Sequence, residues 1–186
     1  AVFANFDVAC LRMGLSSTDE HVLGKTADIL RESCHAHDVA IIIERHMLLV
    51  ESFGLDGVHL TDGAKNVSKA RKLLGSEAIV GAHCAASRHT GLSAGEVGAD
   101  YVSFGPVTAS KLHDGKIART ELFEWWSQLI EVPVVAEGRF DRDSAGLIGQ
   151  HADFLAFGSE IWAQEDPVTK LREPVSYTHL TLPTKA

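Results

Sequence analysis

The chain has 186 residues, 45 % of them hydrophobic and 23 % charged, a composition that buries one sizeable core and excludes intrinsic disorder. Its 25 acidic and 17 basic residues leave a formal charge of −8, which offers no basic field to a polyanion and argues against general nucleic-acid binding, though not against a local phosphate site. No apolar run approaches the roughly 18 to 20 residues of a membrane helix, and the three scattered cysteines, Cys10, Cys34 and Cys84, lack a CxxC spacing. Neither a disulfide framework nor a structural zinc site is indicated, so a soluble protein of the reducing cytoplasm with no membrane partner is expected.

In chain order, short β-branched or apolar runs fall at 7–11, 39–44, 57–60, 78–82, 100–104, 132–136 and 153–157. Each is strand-length and nearly continuous in apolar character, as in a parallel sheet covered on both faces. After the first run, Thr18 is a suitable N-cap for a helix in which Leu23, Ala27, Leu30 and Cys34 share a face. Val67, Ala70 and Leu74 form the stripe of a later helix, with Gly75 as its stop. Thr120 is the predicted cap of a helix carrying Leu122, Trp125 and Leu129, ended by Val132-Pro133.

Strand then helix, repeated at roughly 20 to 30 residues per unit, fits either a doubly wound sheet or a (β/α)8 barrel. The units are small, no GxGxxG follows the first strand, and polar or Gly residues follow nearly every strand. The expected fold class is therefore α/β, a TIM (β/α)8 barrel with its chemistry on the loops after the strands. Seven strands are counted, and the missing one, the first, is expected before Ala1. Residues 1–173 are read as one incomplete barrel domain. The segment 174–186, PVSYTHLTLPTKA, has two prolines and no helix period where a last barrel helix is expected. It resembles translated sequencing-adapter sequence and is read as a non-native tail.

The chain also carries an ordered set of motifs: GLDGVHL from Gly54, ARKLLGSEAIVGAH over 70–83, GADYVSFGPV over 98–107, PVVAEGRF over 133–140 and ADFLAFGSEIW over 152–162. Together they resemble the thiamine phosphate synthase family, which also contains the thiazole tautomerases. The resemblance implies a barrel that couples hydroxymethylpyrimidine diphosphate to thiazole phosphate, giving thiamine phosphate and pyrophosphate. Small phosphorylated heterocycles are thus the implied partners and Mg²⁺ the implied cofactor, since preorganised cations stabilise charge developing on a departing diphosphate.

Position by position the resemblance maps unevenly. The segment CLRMG keeps Arg12 of the family's QLREK and puts Gly14 at its lysine. Glu44-Arg45-His46 stands where the family has Asn-Asp-Arg, so Arg45 takes the place of a magnesium-binding aspartate and becomes a candidate fixed cation. Ala64 occupies the other ligand position. Asp62, two residues earlier, is the one candidate metal ligand left, short of the near-octahedral oxygen set that Mg²⁺ favours. Gly105, Ser110 and Lys111 stand in the family's Thr-x-Thr-Lys loop, in shifted register. His83 ends a strand, where an imidazole is a side chain suited to acid-base work, whereas Ala85 sits at the tautomerase branch's histidine.

At the last two strands, Gly138 keeps one of the family's paired glycines, Arg139 replaces the other, and Gly158-Ser159 form a small hydroxyl-bearing turn suited to a phosphate. The expected catalytic set is therefore Arg12, His83, Ser110 and Lys111, with Arg45, Gly105, Gly138, Arg139, Gly158 and Ser159 binding substrate phosphates.

Other features have structural readings. His59 reads as a hydrogen-bonded barrel residue, Trp125-Trp126 as packing, Cys10 and Cys84 as small buried hydrophobes, and the Lys65, Lys69, Arg71 and Lys72 run as a solvated helix face. Two alternatives stay open. One is a catalytically degenerate paralogue that binds a phosphorylated small molecule, favoured by the lost metal-ligand and lysine positions. The other is a tautomerase-type isomerase, disfavoured by Ala85.

Overall fold

The computed structural model describes residues 1–15, 19–108 and 117–178. After a 3-10 turn, Val2–Ala4, strand and helix alternate: β1 (Cys10–Met13), α1 (Glu20–His35), β2 (Ala40–Glu44), α2 (Leu49–Ser52), β3 (Gly57–Leu60), α3 (Val67–Leu74), β4 (Ile79–His83) and α4 (Arg88–Glu96). There follow β5 (Tyr101–Phe104), α5 (Thr120–Leu129), β6 (Val134–Glu137), α6 (Arg142–Ile148), β7 (Phe154–Ala156), α7 (Ser159–Trp162) and α8 (Pro167–Thr178). Each strand pairs in parallel with the next, in the order β1-β2-β3-β4-β5-β6-β7. The expected parallel α/β architecture is present. The described sheet has seven strands, with β1 and β7 at its edges.

The two-residue period of the strands sorts their side chains. Ile41, Ile43, Val58, Val80, Val102 and Phe104 belong to the main apolar core, together with helix residues such as Ala27, Val67 and Trp126. The alternate positions, among them Arg12, His59, Tyr101 and Glu137, face the other side of the sheet, where the site forms.

Several sequence expectations are refined. Asp19 caps α1, accepting from the amides of His21 and Val22, while Thr18 lies outside the described residues. Leu23, Ala27 and Cys34 are buried as expected, and α3 stops at Gly75, whose φ of 82° is a conformation glycine adopts freely. Thr120 is the first residue of α5, and Arg119 precedes it without a side-chain cap. That helix buries Leu122, Phe123 and Trp126, whereas Leu129, its last residue, is exposed. Trp126 packs edge-on to Phe104 and donates Nε1–H to Val132 O at 2.7 Å. The first strand begins at Cys10 because its register with β2 pairs Cys10 to Met13 with Ala40 to Ile43.

The end of the sheet at which the strands begin is fastened by a repeated device. Asp56, Asp100 and Asp153 each precede a strand, and each carboxylate accepts from a backbone N–H of the preceding strand: Ile41 at 2.7 Å, Val80 at 2.7 Å and Val134 at 2.8 Å. Each aspartate's own N–H donates back to the carbonyl of that same residue. Arg71 joins this layer. It donates to the carbonyls of Gly75, Ala78 and Gly98 and pairs with Asp100. The expected solvated role of Arg71 is thus corrected, since its guanidinium collects these carbonyls and the Asp100 carboxylate.

A second cluster joins Val2, Ile161 and Leu171, with Phe6, Val8, Phe157, Val168 and Val175 packed on it. It seats the first residues of the chain on α7 and α8. Residues 174–178 continue α8, although no helix period was expected from Pro174 onward. Val168, Leu171 and Val175 form a stripe across that position, and its burial outweighs the one N–H that Pro174 lacks.

Candidate active site

Four strand ends converge on one carboxylate. Glu137 closes β6, and its Oε1 lies 2.6 Å from Nη1 of Arg12 on β1 and 3.5 Å from Nε2 of His59 on β3. Its Oε2 lies 3.4 Å from Nδ1 of His83 on β4. Strand β5 supplies the outer partners: the Tyr101 hydroxyl is 2.7 Å from His59 Nδ1, and Ser103 Oγ is 3.2 Å from His83 Nδ1. The Tyr101 and His59 rings stack at 5.7 Å. Gly81 leaves room for the phenol, because a Cβ there would meet the Tyr101 ring at 2.1 Å.

The electrostatics follow from this packing. Burial alone would raise the Glu137 carboxyl, but the contact with His83 and the Arg12 guanidinium outweigh it and hold the group well below the usual carboxylate range. Burial works the other way on His59, lowering it to about 3, with Arg12 and His83 acting in the same sense and Glu137 against. Burial opposes the charge of Arg12, and pairing with Glu137 more than restores it. Near neutral pH the mouth therefore holds one carboxylate, one guanidinium and an uncharged buried imidazole. Arg12 is one-third exposed, so it is held in place by Glu137 while still facing an incoming anion.

Of the predicted catalytic set, Arg12 and His83 meet on Glu137, while Ser110 and Lys111 lie outside the described residues. Arg45 takes a left-handed turn after β2, with φ 67°, and its largely exposed side chain lies 3.7 Å from Glu44. It is not part of the cluster.

Gly105 and Gly138 let two loops approach. A Cβ on Gly105 would lie 2.4 Å from Glu137 O, and Gly138, with φ 137°, would place one 2.9 Å from Val107 N. The exposed Arg139 offers its carbonyl to the Thr108 hydroxyl at 2.9 Å. At the predicted phosphate turn, Gly158 N–H already donates to Glu160 Oε1 at 2.7 Å, with Ser159 exposed beside it. The chain's own carboxylate takes up the donor expected to face a phosphate.

Sequence reasoning missed Glu137, Tyr101 and Ser103; it read His59 as a hydrogen-bonded barrel residue, and its ring does meet the Tyr101 hydroxyl, but its place beside Glu137 was not foreseen. The available signal was a charged residue closing the otherwise apolar run PVVAE, at the strand end where barrel chemistry sits. Cys84 is buried as expected and its thiol is pushed up to about 12, chiefly by burial, whereas Cys10 is exposed. Among the described residues no helix is long and apolar enough to cross a membrane.

The profile of the thiamine monophosphate synthase family matches residues 4–161. The chain belongs to this family. It is 39 % identical over 163 residues to the thiamine-phosphate synthase of Erythrobacter litoralis, covering 86 % of this chain and 76 % of that protein. With the thiamine-phosphate synthase of Rhodospirillum centenum the identity is 38 % over 158 residues, or 84 % and 76 % of the two chains. Among solved structures, the thiamine phosphate pyrophosphorylase of Pyrococcus furiosus superposes with a TM-score of 0.81 at 21 % identity, over 96 % of this chain and 87 % of that one. At that identity the likeness speaks for the fold.

Membership in the thiamine monophosphate synthase family raises the question of Mg²⁺, and the described residues do not fit it. Asp62 is exposed and accepts from Asn66 Nδ2 at 2.5 Å. The two neighbouring ligand positions implied by the resemblance carry the Arg45 guanidinium and the Ala64 methyl, neither of which ligates a cation. The one close group of three metal-capable side chains among the described residues is His59, His83 and Glu137, which excludes Asp62.

Proposed function

We propose that the chain is a cytoplasmic thiamine-phosphate synthase. It would transfer the pyrimidinylmethyl group of hydroxymethylpyrimidine diphosphate to the ring nitrogen of thiazole phosphate. The bond between the methylene carbon and the diphosphate oxygen breaks, and its electron pair leaves with the diphosphate. The thiazole nitrogen lone pair then forms the new C–N bond, with no net oxidation. The enzyme's fold would be an eight-stranded (β/α)8 barrel.

The observation that carries this reading is the 39 % identity with a thiamine-phosphate synthase over most of both chains, and the mouth geometry supports it. Arg12 is oriented by Glu137 before any substrate arrives, which places a fixed cation where charge develops on the leaving diphosphate. His83, partly exposed at the same rim, is the second donor. Ser110 and Lys111 are assigned to the diphosphate, and Gly105, Gly138, Arg139, Gly158 and Ser159 to the phosphate side, on the family pattern. Arg45 is assigned as a rim cation.

A second reading has its own support. Arg45 and Ala64 at the metal-ligand positions, and Glu160 on the Gly158 amide, favour a catalytically degenerate paralogue that only binds a phosphorylated heterocycle. Incubation with both substrates, with Mg²⁺ and with chelator, separates the two. Equimolar thiamine phosphate and pyrophosphate in either arm support the synthase. Thermal stabilisation by thiazole phosphate without product supports the binder. Conversion of a thiazole tautomer alone would overturn both in favour of the isomerase.

A further inference from the structure

The Nε2 atom of His59 is a buried side-chain nitrogen without a hydrogen-bond partner, in a residue only 1 % exposed. Such atoms are rare because each forfeits its hydration without compensation. It is aimed at the place where Glu137 and His83 also meet, and the ligand-capable atoms of these three residues lie within 4.8 Å of one another. We infer that His59, His83 and Glu137 form a binding site for one divalent transition-metal ion of the zinc type.

The distances suit that ion. Atoms bound at about 2.0–2.1 Å to a tetrahedral zinc lie roughly 3.3 Å apart along an edge. Here His83 Nδ1 is 3.4 Å from Glu137 Oε2, close to one such edge, and His59 Nε2 lies within 4.8 Å of both ligand atoms. Two imidazoles and a carboxylate are also the donor set that such metals accept and that Mg²⁺ does not favour.

The outer partners are those of a metal site. His59 Nδ1 faces the Tyr101 hydroxyl at 2.7 Å; when Nδ1–H donates there, the lone pair of Nε2 is left directed at the ion, and the ring is fixed. Arg12 holds Oε1 at 2.6 Å and leaves Oε2 for the metal. Ser103 Oγ, now 3.2 Å from His83 Nδ1, gives up that contact when Nδ1 ligates. Arg12 is a cation in the same mouth and opposes the ion, so affinity is expected to be moderate. Three protein ligands leave one coordination position open for water or a substrate oxygen, and partly exposed His83 marks the side of entry. The site rests on these atoms alone and not on the synthase reading.

Cobalt(II) is the probe. Chelator-stripped whole chain is titrated with Co²⁺ and followed by visible absorption. The expected result is one equivalent bound with the strong d–d bands of a four-coordinate ion, displaced by one equivalent of Zn²⁺ and not by excess Mg²⁺. His83→Asn and Glu137→Gln are each expected to weaken Co²⁺ binding by about tenfold or more, while His37→Asn, on the surface, leaves it unchanged. Should Glu137→Gln fail to fold, His83→Asn at the rim decides alone. Absence of stoichiometric binding at micromolar protein, or binding of full strength in His83→Asn, overturns the inference.

Discussion

Arg12 and Glu137 stand 125 residues apart in the chain, on strands that are not neighbours in the sheet, yet their side chains meet at 2.6 Å. The pair spans the interior from β1 to β6 and fixes the guanidinium at the mouth. An incoming diphosphate therefore competes with a built-in carboxylate for Arg12.

Because both partners are largely withdrawn from water, removing one leaves the other uncompensated. Arg12→Met and Glu137→Gln are each expected to lower unfolding free energy by about 2–3 kcal/mol, toward the lower end of buried pairs because Arg12 is one-third exposed. The double variant should lose clearly less than the sum. Urea titration of the four proteins checks this, and additive losses would mean that the pair is not coupled.

Acid stability should depend on His59. Its folded value of about 3 lies below its ordinary value, so between about pH 6.5 and 3 the unfolded chain binds a proton that the folded chain refuses. Stability therefore falls as pH falls through that window, by about 2 kcal/mol from pH 6.5 to 5. Glu137 is also depressed, but its contribution is fully present above the ordinary carboxylate range and is lost only below it. Urea midpoints at pH 7, 6 and 5, with chelator present, should show a slope that flattens in His59→Gln.

Gly81 should resist even a methyl group. A Cβ at that position meets the Tyr101 ring at 2.1 Å, so Gly81→Ala is expected to cost about 2–3 kcal/mol through overpacking. Replacing the ring by a smaller side chain in Gly81→Ala/Tyr101→Leu should recover part of the loss. Thermal melts of the single and double variants test the contact, and an unaltered melting temperature for Gly81→Ala would disprove it.

The aspartate device makes a local prediction. Asp100 accepts from Val80 N–H and pairs with Arg71, so Asp100→Ala leaves both without that acceptor. The expected loss is about 1–2 kcal/mol, discounted because Asp100 is partly exposed. Hydrogen exchange should report faster exchange at Val80 than at Ile41 or Val134, whose aspartates remain.

The scaffold was legible because its signals are local. Apolar runs of strand length, the Gly75 stop and the stripe of Leu23, Ala27 and Cys34 are each written within a few residues, and all three are present in the structure. The motifs GLDG and GADY also proved structural in a way that composition does not disclose, since their aspartates fasten neighbouring strands. The Glu137 cluster was not legible, because it exists only when the ends of β1, β3, β4 and β6 converge. The register of β1 and the reach of Arg71 likewise depend on partners distant in the chain.

The seating of the first residues on α7 and α8 bears on how the molecule meets others of its kind. Within the described sheet β1 and β7 each have one strand neighbour, and the side chains of Val2, Ile161 and Leu171, not a backbone ladder, bridge that flank. Phe154, the first residue of β7, is about half exposed. Unladdered strand edges are templates for pairing between chains, so loosening this apolar clasp is expected to favour self-association.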